Sequence, residues 1–315
     1  MFNEIKKIEL HLHLDGSVRV STVEELLNKK DLKNQMIVDN NTHSLTEYLT
    51  KFDLPIKAMQ SKENLTRVCK ELIEDLDNDN VIYAEIRFAP IFHINNNLTL
   101  DELINSILDG LKSDKVKTNL ILCLMRNSSY EDNKKIIDLA IKYKDQGVCA
   151  IDLAGDESKY PTSNFQELFE YARKNNIEFT IHAGEAGNIN DMIDAISFNP
   201  KRIGHGIKAI EDINVINMLK EKQITLEICP TSNIQTCVVN SIELHPIKQL
   251  YNNGILITIN TDNRTVSNIT LSKEYELLNK HFNFNKDDFI KFNINAINSS
   301  FLSKEEKDEL IKKIT

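Results

Sequence analysis

The sequence predicts an α/β fold of the (β/α)8 barrel type. Three observations lead there. Eight short apolar runs recur along the 315 residues, segments of helical period lie between them, and several runs are apolar at nearly every position. Runs of that last kind suit parallel strands buried on both faces. Regular strand–helix alternation over this length suits a barrel. A doubly wound sheet is the alternative, but no Gly-rich phosphate turn follows the first run.

The first strand is read at 8–13 (IELHLH). The connection over 14–80 is the longest. Its segment SLTEYLTKFDLPIKAM carries Leu45, Leu49, Phe52, Leu54 and Met59. That is either a helical lid insertion after strand 1 or ordinary packing against the barrel rim. Val68, Leu72, Ile73 and Leu76 then form one helical stripe, and strand 2 follows at 81–88. Asn95-Asn96-Asn97 reads as a polar loop. Leu103, Ile104, Ile107, Leu108 and Leu111 form the next stripe, before strands at 119–125, 148–153, 177–182 and 201–205. Ile213, Ile216 and Leu219 mark a helix between strands 6 and 7, and the last strands fall at 224–229 and 255–260. There is no internal repeat and no Pro/Ser-rich linker, so residues 1–315 are expected to form a single domain.

Net charge is -9, which makes a nucleic-acid or anionic-membrane surface an unexpected partner. The N-terminal MFNEIKKIEL lacks an apolar signal-peptide core. No apolar run approaches the roughly 20 residues that span a bilayer. The five cysteines are odd in number, scattered and without a CxxC pair. Reduced thiols in a cytoplasmic protein are expected. No heptad pattern stands out, which points to a monomer.

Reactive groups of a barrel gather at the C-terminal ends of its strands. Strand 1 ends in His11-Leu12-His13, strand 5 in His182, and strand 6 in Gly204-His205-Gly206; strand 8 is followed by Thr261-Asp262-Asn263. Side chains alternate along a strand, so His11 and His13 face the same way. Two imidazoles in one interior are costly unless something takes their lone pairs. A metal ion does so. His182 and Asp262 complete a set of three nitrogens and one oxygen, which suits Zn²⁺ with an open position for water. An HxH pair alone is a weak signal. The convergence of several strand ends is a strong one, since four of only eight histidines fall there. His43, His93, His245 and His281 lack such a context and read as surface or structural. Glu185 follows His182 after a short turn. It reads as a carboxyl with a raised pKa that delivers a proton, or as a helix N-terminal Glu favoured by the dipole.

The segments ELHLHLDGS, EIRFAP, DLAGDE, IHAGE, IGHG, EICPTSN, INTDN and SFLSKEEK occur in this order. Together they resemble the signature segments of the adenosine deaminases, within the metal-dependent amidohydrolase superfamily, over nearly the whole chain. The resemblance implies zinc-dependent hydrolytic deamination of adenosine, and of 2′-deoxyadenosine, in purine salvage. It implies one Zn²⁺ per subunit on His11, His13, His182 and Asp262. Glu185 matches the residue that protonates purine N1. His205 matches the histidine that orients or deprotonates the attacking water. Gly155 matches the glycine whose N–H meets purine N3, and Asp15 the carboxylate that binds the ribose 5′-hydroxyl, beside His13.

One position departs from the pattern. Many family members carry Asp-Asp where this chain has Asp262-Asn263. An amide donates to purine N7 without needing a protonated carboxyl, so Asn263 is expected to keep that contact. Glu227 is expected to orient His205, or else to pair with a nearby lysine. Arg87 reads as a buried partner of Glu85 or of a neighbouring strand, and Asp152 as supporting a site residue or as structural. Pro230, Thr231, Ser232 and Asn233 are expected to shape a loop without chemistry. Adenine or a 5′-modified adenosine is the alternative substrate, although adenine deaminases of the superfamily tend to carry Glu where this chain has Asp15. A catalytically silent nucleoside-binding barrel is the alternative of another class.

Overall fold

The computed structural model describes residues 2–39, 44–95 and 97–314. His43 and Asn96 therefore lie outside the described residues. Eight parallel strands run in sequence order: β1 Lys7–His13, β2 Val81–Phe88, β3 Lys117–Met125, β4 Val148–Ala154, β5 Glu178–Ala183, β6 Arg202–His205, β7 Thr225–Ile228 and β8 Ile257–Ile259. Between β8 and β1 the barrel meets through a short bridge. The His13 N–H donates to the Asp262 carbonyl at 2.8 Å, and the Asp262 N–H to the His11 carbonyl at 2.9 Å. Closure therefore passes through three residues of the expected metal set.

The expected strand positions agree with these elements to within about two residues at most ends. β8 is the shortest, and just past its end the Asn260 side chain reaches across to β1, where Oδ1 accepts from the Leu10 N–H at 3.0 Å.

Helices cover the outside. Helix Lys62–Asn78 starts at Ser61, whose hydroxyl accepts from the Asn64 N–H, and buries Leu65, Val68, Cys69, Leu72, Ile73 and Leu76. Helix Leu100–Leu111 opens on a Thr99/Glu102 capping box and buries Leu103, Ile104, Ile107 and Leu111. The two pack closely at Gly110, where an added Cβ would stand 2.6 Å from the Cys69 Cβ.

The barrel interior is polar at its centre. Glu85, Arg87, Asp152, Arg202 and Glu227 are entirely buried. Buried charges persist only when paired and hydrogen-bonded. Arg87 reaches Asp152 and Glu227, both at 2.9 Å, and Arg202 reaches Glu85 and Glu227, both at 2.5 Å. Arg87 thus pairs across the barrel with β4 and β7, not with Glu85 two residues away. Neighbouring residues of one parity share a face but diverge, whereas opposite strands converge on the axis.

The segment after β1 forms short helices Leu45–Leu49 and Asp53–Ala58, with a 3-10 turn Thr50–Phe52 between them. Leu45, Leu49, Phe52 and Ile56 line the cavity at the strand ends, while Leu54 and Met59 turn into the core.

Candidate active site

The cavity sits at the C-terminal mouth of the barrel and measures about 610 Å³. His13, Asp15, Gly155, His182, Glu185, His205, Asp262 and Asn263 all line it. His11 lies just beneath, fully buried, with its ring centroid 4.5 Å from that of His182 and 4.8 Å from that of His205. Two residues here hold a left-handed backbone without being glycine: His205 at φ 60° and Asp262 at φ 60°. Such strain is uncommon and concentrates at functional positions. Gly155, at φ 105°, brings the backbone after β4 to the cavity wall in a conformation that suits glycine.

One ligand atom from each of His11, His13, His182 and Asp262 lies within 4.8 Å of all the others. The fit to a cation is testable on the lone pairs. His11 Nδ1 is 2.8 Å from Glu227 and His182 Nδ1 is 2.8 Å from Asp152. A proton on each Nδ1 leaves each Nε2 bare, and the buried His11 Nε2 has no hydrogen-bond partner. His13 Nε2 lies 3.3 Å from His182 Nε2, and Asp262 Oδ1 lies 3.4 Å from both His11 Nε2 and His13 Nε2. Ligands held about 2.0–2.2 Å from one tetrahedral ion stand roughly 3.4 Å apart. The donors fit a divalent ion.

The electrostatics agree. Burial pulls the His13 ring down to about 3, so it is neutral and able to ligate. Burial alone would raise Asp262, but His11 and His13 overcome it and hold the carboxyl well below its usual range. Ser232 Oγ donates to its other oxygen at 2.6 Å. Glu185 behaves in the opposite way. Burial, helped by Asp262, pushes its carboxyl up to about 7. It sits 3.6 Å from His205 Nε2, with Thr236 Oγ1 3.1 Å from its Oε1. Glu157 holds the turn in place by accepting from the backbone N–H groups of Gly184, Glu185 and Ala186 at 2.6, 3.0 and 3.1 Å.

A barrel mouth that gathers a cation-ready donor set and a carboxyl with a raised pKa matches one family over almost its whole length. The adenosine deaminase family model matches residues 6–315. An adenosine deaminase of Clostridium botulinum (strain Okra, type B1) is 42% identical over an alignment of 333 positions, covering 100% of this chain and 99% of that one.

The chain belongs to the adenosine deaminase family.

It is a hydrolase, a deaminase. Among solved structures, the Arabidopsis N6-mAMP deaminase superposes with a TM-score of 0.90 at 30% identity, covering 99% of this chain and 98% of that one. An Arabidopsis structure complexed with IMP has a TM-score of 0.90 at 29% identity, covering 100% and 99%.

Several site residues differ from the sequence reading. Glu227 contacts His11 and the two interior arginines; it does not contact His205, and its partners are not lysines. Glu227 is on β7 and points into the axis, while His205 is the last residue of β6, at the rim. The partner of His205 Nδ1 is Asn233, at 3.0 Å. Pro230–Gln235 form a short helix, not the expected loop, and Ser232 and Asn233, for which no chemistry is expected, contact Asp262 and His205, with Thr236 beside Glu185. Their place just past a strand end is the same signal that marks the histidines. His93 and His245 are buried, which keeps the structural of their two readings. His93 Nε2 lies 3.7 Å from Asp15 Oδ2, and His245 Nε2 lies 3.2 Å from Asn233 Oδ1. No local pattern announces either one. Asp152 supports His182.

Asn263 donates through Nδ2 to the Tyr48 hydroxyl at 2.9 Å, and its Oδ1 is buried without a partner. That oxygen lies over Gly16, where an added Cβ would come within 1.8 Å of it.

Proposed function

We propose that the chain converts adenosine and 2′-deoxyadenosine, with water, to inosine or 2′-deoxyinosine and ammonia. The observation that carries this is Glu185, buried at the cavity wall with its carboxyl pushed up to about 7, beside the four-donor set. A neutral carboxyl there can give its proton to purine N1, which makes C6 electrophilic. A divalent ion, Zn²⁺ in this proposal, supplies a Lewis acid and lowers the pKa of water toward about 7. The water oxygen bonds to C6 and the C6–amino bond breaks. Of the two water hydrogens, one ends on N1 by way of Glu185 and one leaves on ammonia. His205 faces the reacting oxygen. Gly155 meets N3, Asn263 meets N7, and Asp15 and His13 meet the sugar 5′-hydroxyl. Both sugars are taken as substrates in this reading.

Charge favours a nucleoside over a nucleotide. Asp15, Asp53, Asp156, Glu185 and Asp262 line the cavity, against one lysine, Lys159. Lys159 is paired with Asp156 at 2.7 Å. A 5′-phosphate needs cationic partners, and that wall offers carboxylates. The helices over 45–58 act as a lid in this reading, supported by their place on the cavity wall. The proposal extends to a single-domain (1–315) monomer in the cytoplasm, serving purine salvage. None of the five cysteines is in a disulfide. No helix among the described residues is long and apolar enough to cross a membrane.

The test is an ultraviolet assay of Zn²⁺-loaded protein with adenosine, 2′-deoxyadenosine, adenine and adenosine monophosphate, with Glu185→Gln as control. Turnover of the two nucleosides that collapses in the variant is expected. Preference for adenine or the monophosphate would overturn the substrate.

A further inference from the structure

A chain of hydrogen bonds runs behind His205, and it starts at an atom that can only donate. The backbone N–H of Ile247 donates to His245 Nδ1 at 3.1 Å. Nδ1 is therefore bare, and the ring carries its proton on Nε2. Burial agrees, pulling this imidazole down to about 3. His245 Nε2 lies 3.2 Å from Asn233 Oδ1. A donor requires the oxygen end of an amide, so this contact fixes which way Asn233 points. Its nitrogen then faces His205 Nδ1 at 3.0 Å. An amide nitrogen only donates, so Nδ1 of His205 is bare as well. The one ring proton of His205 must sit on Nε2. The same amide nitrogen lies 3.4 Å from Glu185 Oε1, which ties the proposed acid to the same support.

We infer that His245 is a positioning residue: through Asn233 it locks His205 in the tautomer whose Nε2 donates a hydrogen bond into the cavity. His205 then holds the oxygen that arrives at C6 as a donor and does not take its proton as a base. The inference rests on the reading that His205 faces the reacting atoms. Its force lies in direction. Each link admits one polarity once the Ile247 N–H is set, because a backbone N–H can only donate. His245 is 40 residues beyond His205 in the chain and touches no proposed substrate atom, yet it decides which His205 nitrogen is protonated.

The test is ¹⁵N NMR of histidine-labelled, Zn²⁺-loaded protein, with the His205 signals identified by their loss in His205→Gln. The expected result is a pyridine-type Nδ1 and a pyrrole-type Nε2 on His205. Two variants follow. His245→Leu frees the Asn233 amide to rotate, so the Nδ1-protonated form of His205 should appear and kcat should fall by about tenfold with KM little changed. His245→Gln can place an amide nitrogen against Asn233 Oδ1, and should restore both the spectrum and the rate. A native His205 protonated on Nδ1 would overturn the inference, whatever the variants do. So would a His205 spectrum unmoved in folded His245→Leu protein. If the tautomer shifts while kcat stays constant, the relay stands and the assignment of His205 to the reacting atoms fails.

Discussion

The Glu227 carboxylate lies 2.8 Å from Nδ1 of His11, and both side chains are wholly buried. This contact turns His11 Nε2 toward the other ligand atoms. Burial would raise Glu227, but Arg87 and Arg202 oppose that and hold it well below the usual carboxylate range. A full negative charge therefore backs the proposed metal ligand. Glu227→Gln is expected to weaken metal binding by about 10- to 100-fold. Titrating the loaded protein with a chelator, and reading metal retained, checks this. Retention equal to the wild type would show that the charge behind His11 is immaterial.

Glu185 sets a pH dependence. Its carboxyl is pushed up mainly by burial to about 7, and the proposed proton donor must be in the protonated form. The rate limb controlled by Glu185 should therefore fall as pH rises through its pKa, not as pH falls. Glu185→Gln should lower kcat/KM by at least about 100-fold and remove that limb. A pH profile of both proteins reads the two effects together.

Asn263 lines the cavity, and its Nδ2 already donates one hydrogen to the Tyr48 hydroxyl. The second is the one that the proposed reading gives to purine N7. Asn263→Ala should lower kcat/KM for adenosine by about tenfold and lower it less for 7-deazaadenosine, which offers no acceptor there. Equal losses for the two substrates would place the role of Asn263 in the Tyr48 contact instead.

Gly16 is kept small by the same side chain. Gly16→Ala drives a Cβ against Asn263 Oδ1 and Cγ. The loss should appear in KM and kcat together, with a drop in Tm of a few degrees, about 1–3 kcal/mol of overpacking. Thermal melts and steady-state kinetics on one preparation decide it.

Glu274 gives a stability dependence away from catalysis. Burial pushes its carboxyl up to about 8, and Oε1 accepts from the Thr231 N–H at 3.1 Å. Between the ordinary glutamate value of 4.5 and about 8, the folded state keeps this proton while the unfolded state loses it. The unfolded chain binds fewer protons there, so stability falls as pH rises. Glu274→Gln keeps the acceptor and cannot ionise. Its Tm should decline less than that of the wild type between pH 5 and pH 8.

The barrel was legible from the sequence because its signal is local. Apolar runs such as VIYAEIRF and VCAIDL declare buried strands by themselves. The rule that reactive groups gather at strand ends then finds His11, His13, His182, His205 and Asp262 without any contact being known. The family segments add roles for Glu185, Asp15, Gly155 and Asn263. What the sequence could not determine is which buried partner stands behind which ligand. Glu227 meets His11 across 216 residues, and Arg87 passes over nearby Glu85 to reach Asp152 and Glu227. His93 joins Asp15, and His245 reaches His205 through Asn233, from loops with no periodic signature. These pairings depend on how far each strand turns about the barrel axis and how its neighbours are registered. Only closure of the sheet, between Asp262 and the end of β1, decides that geometry.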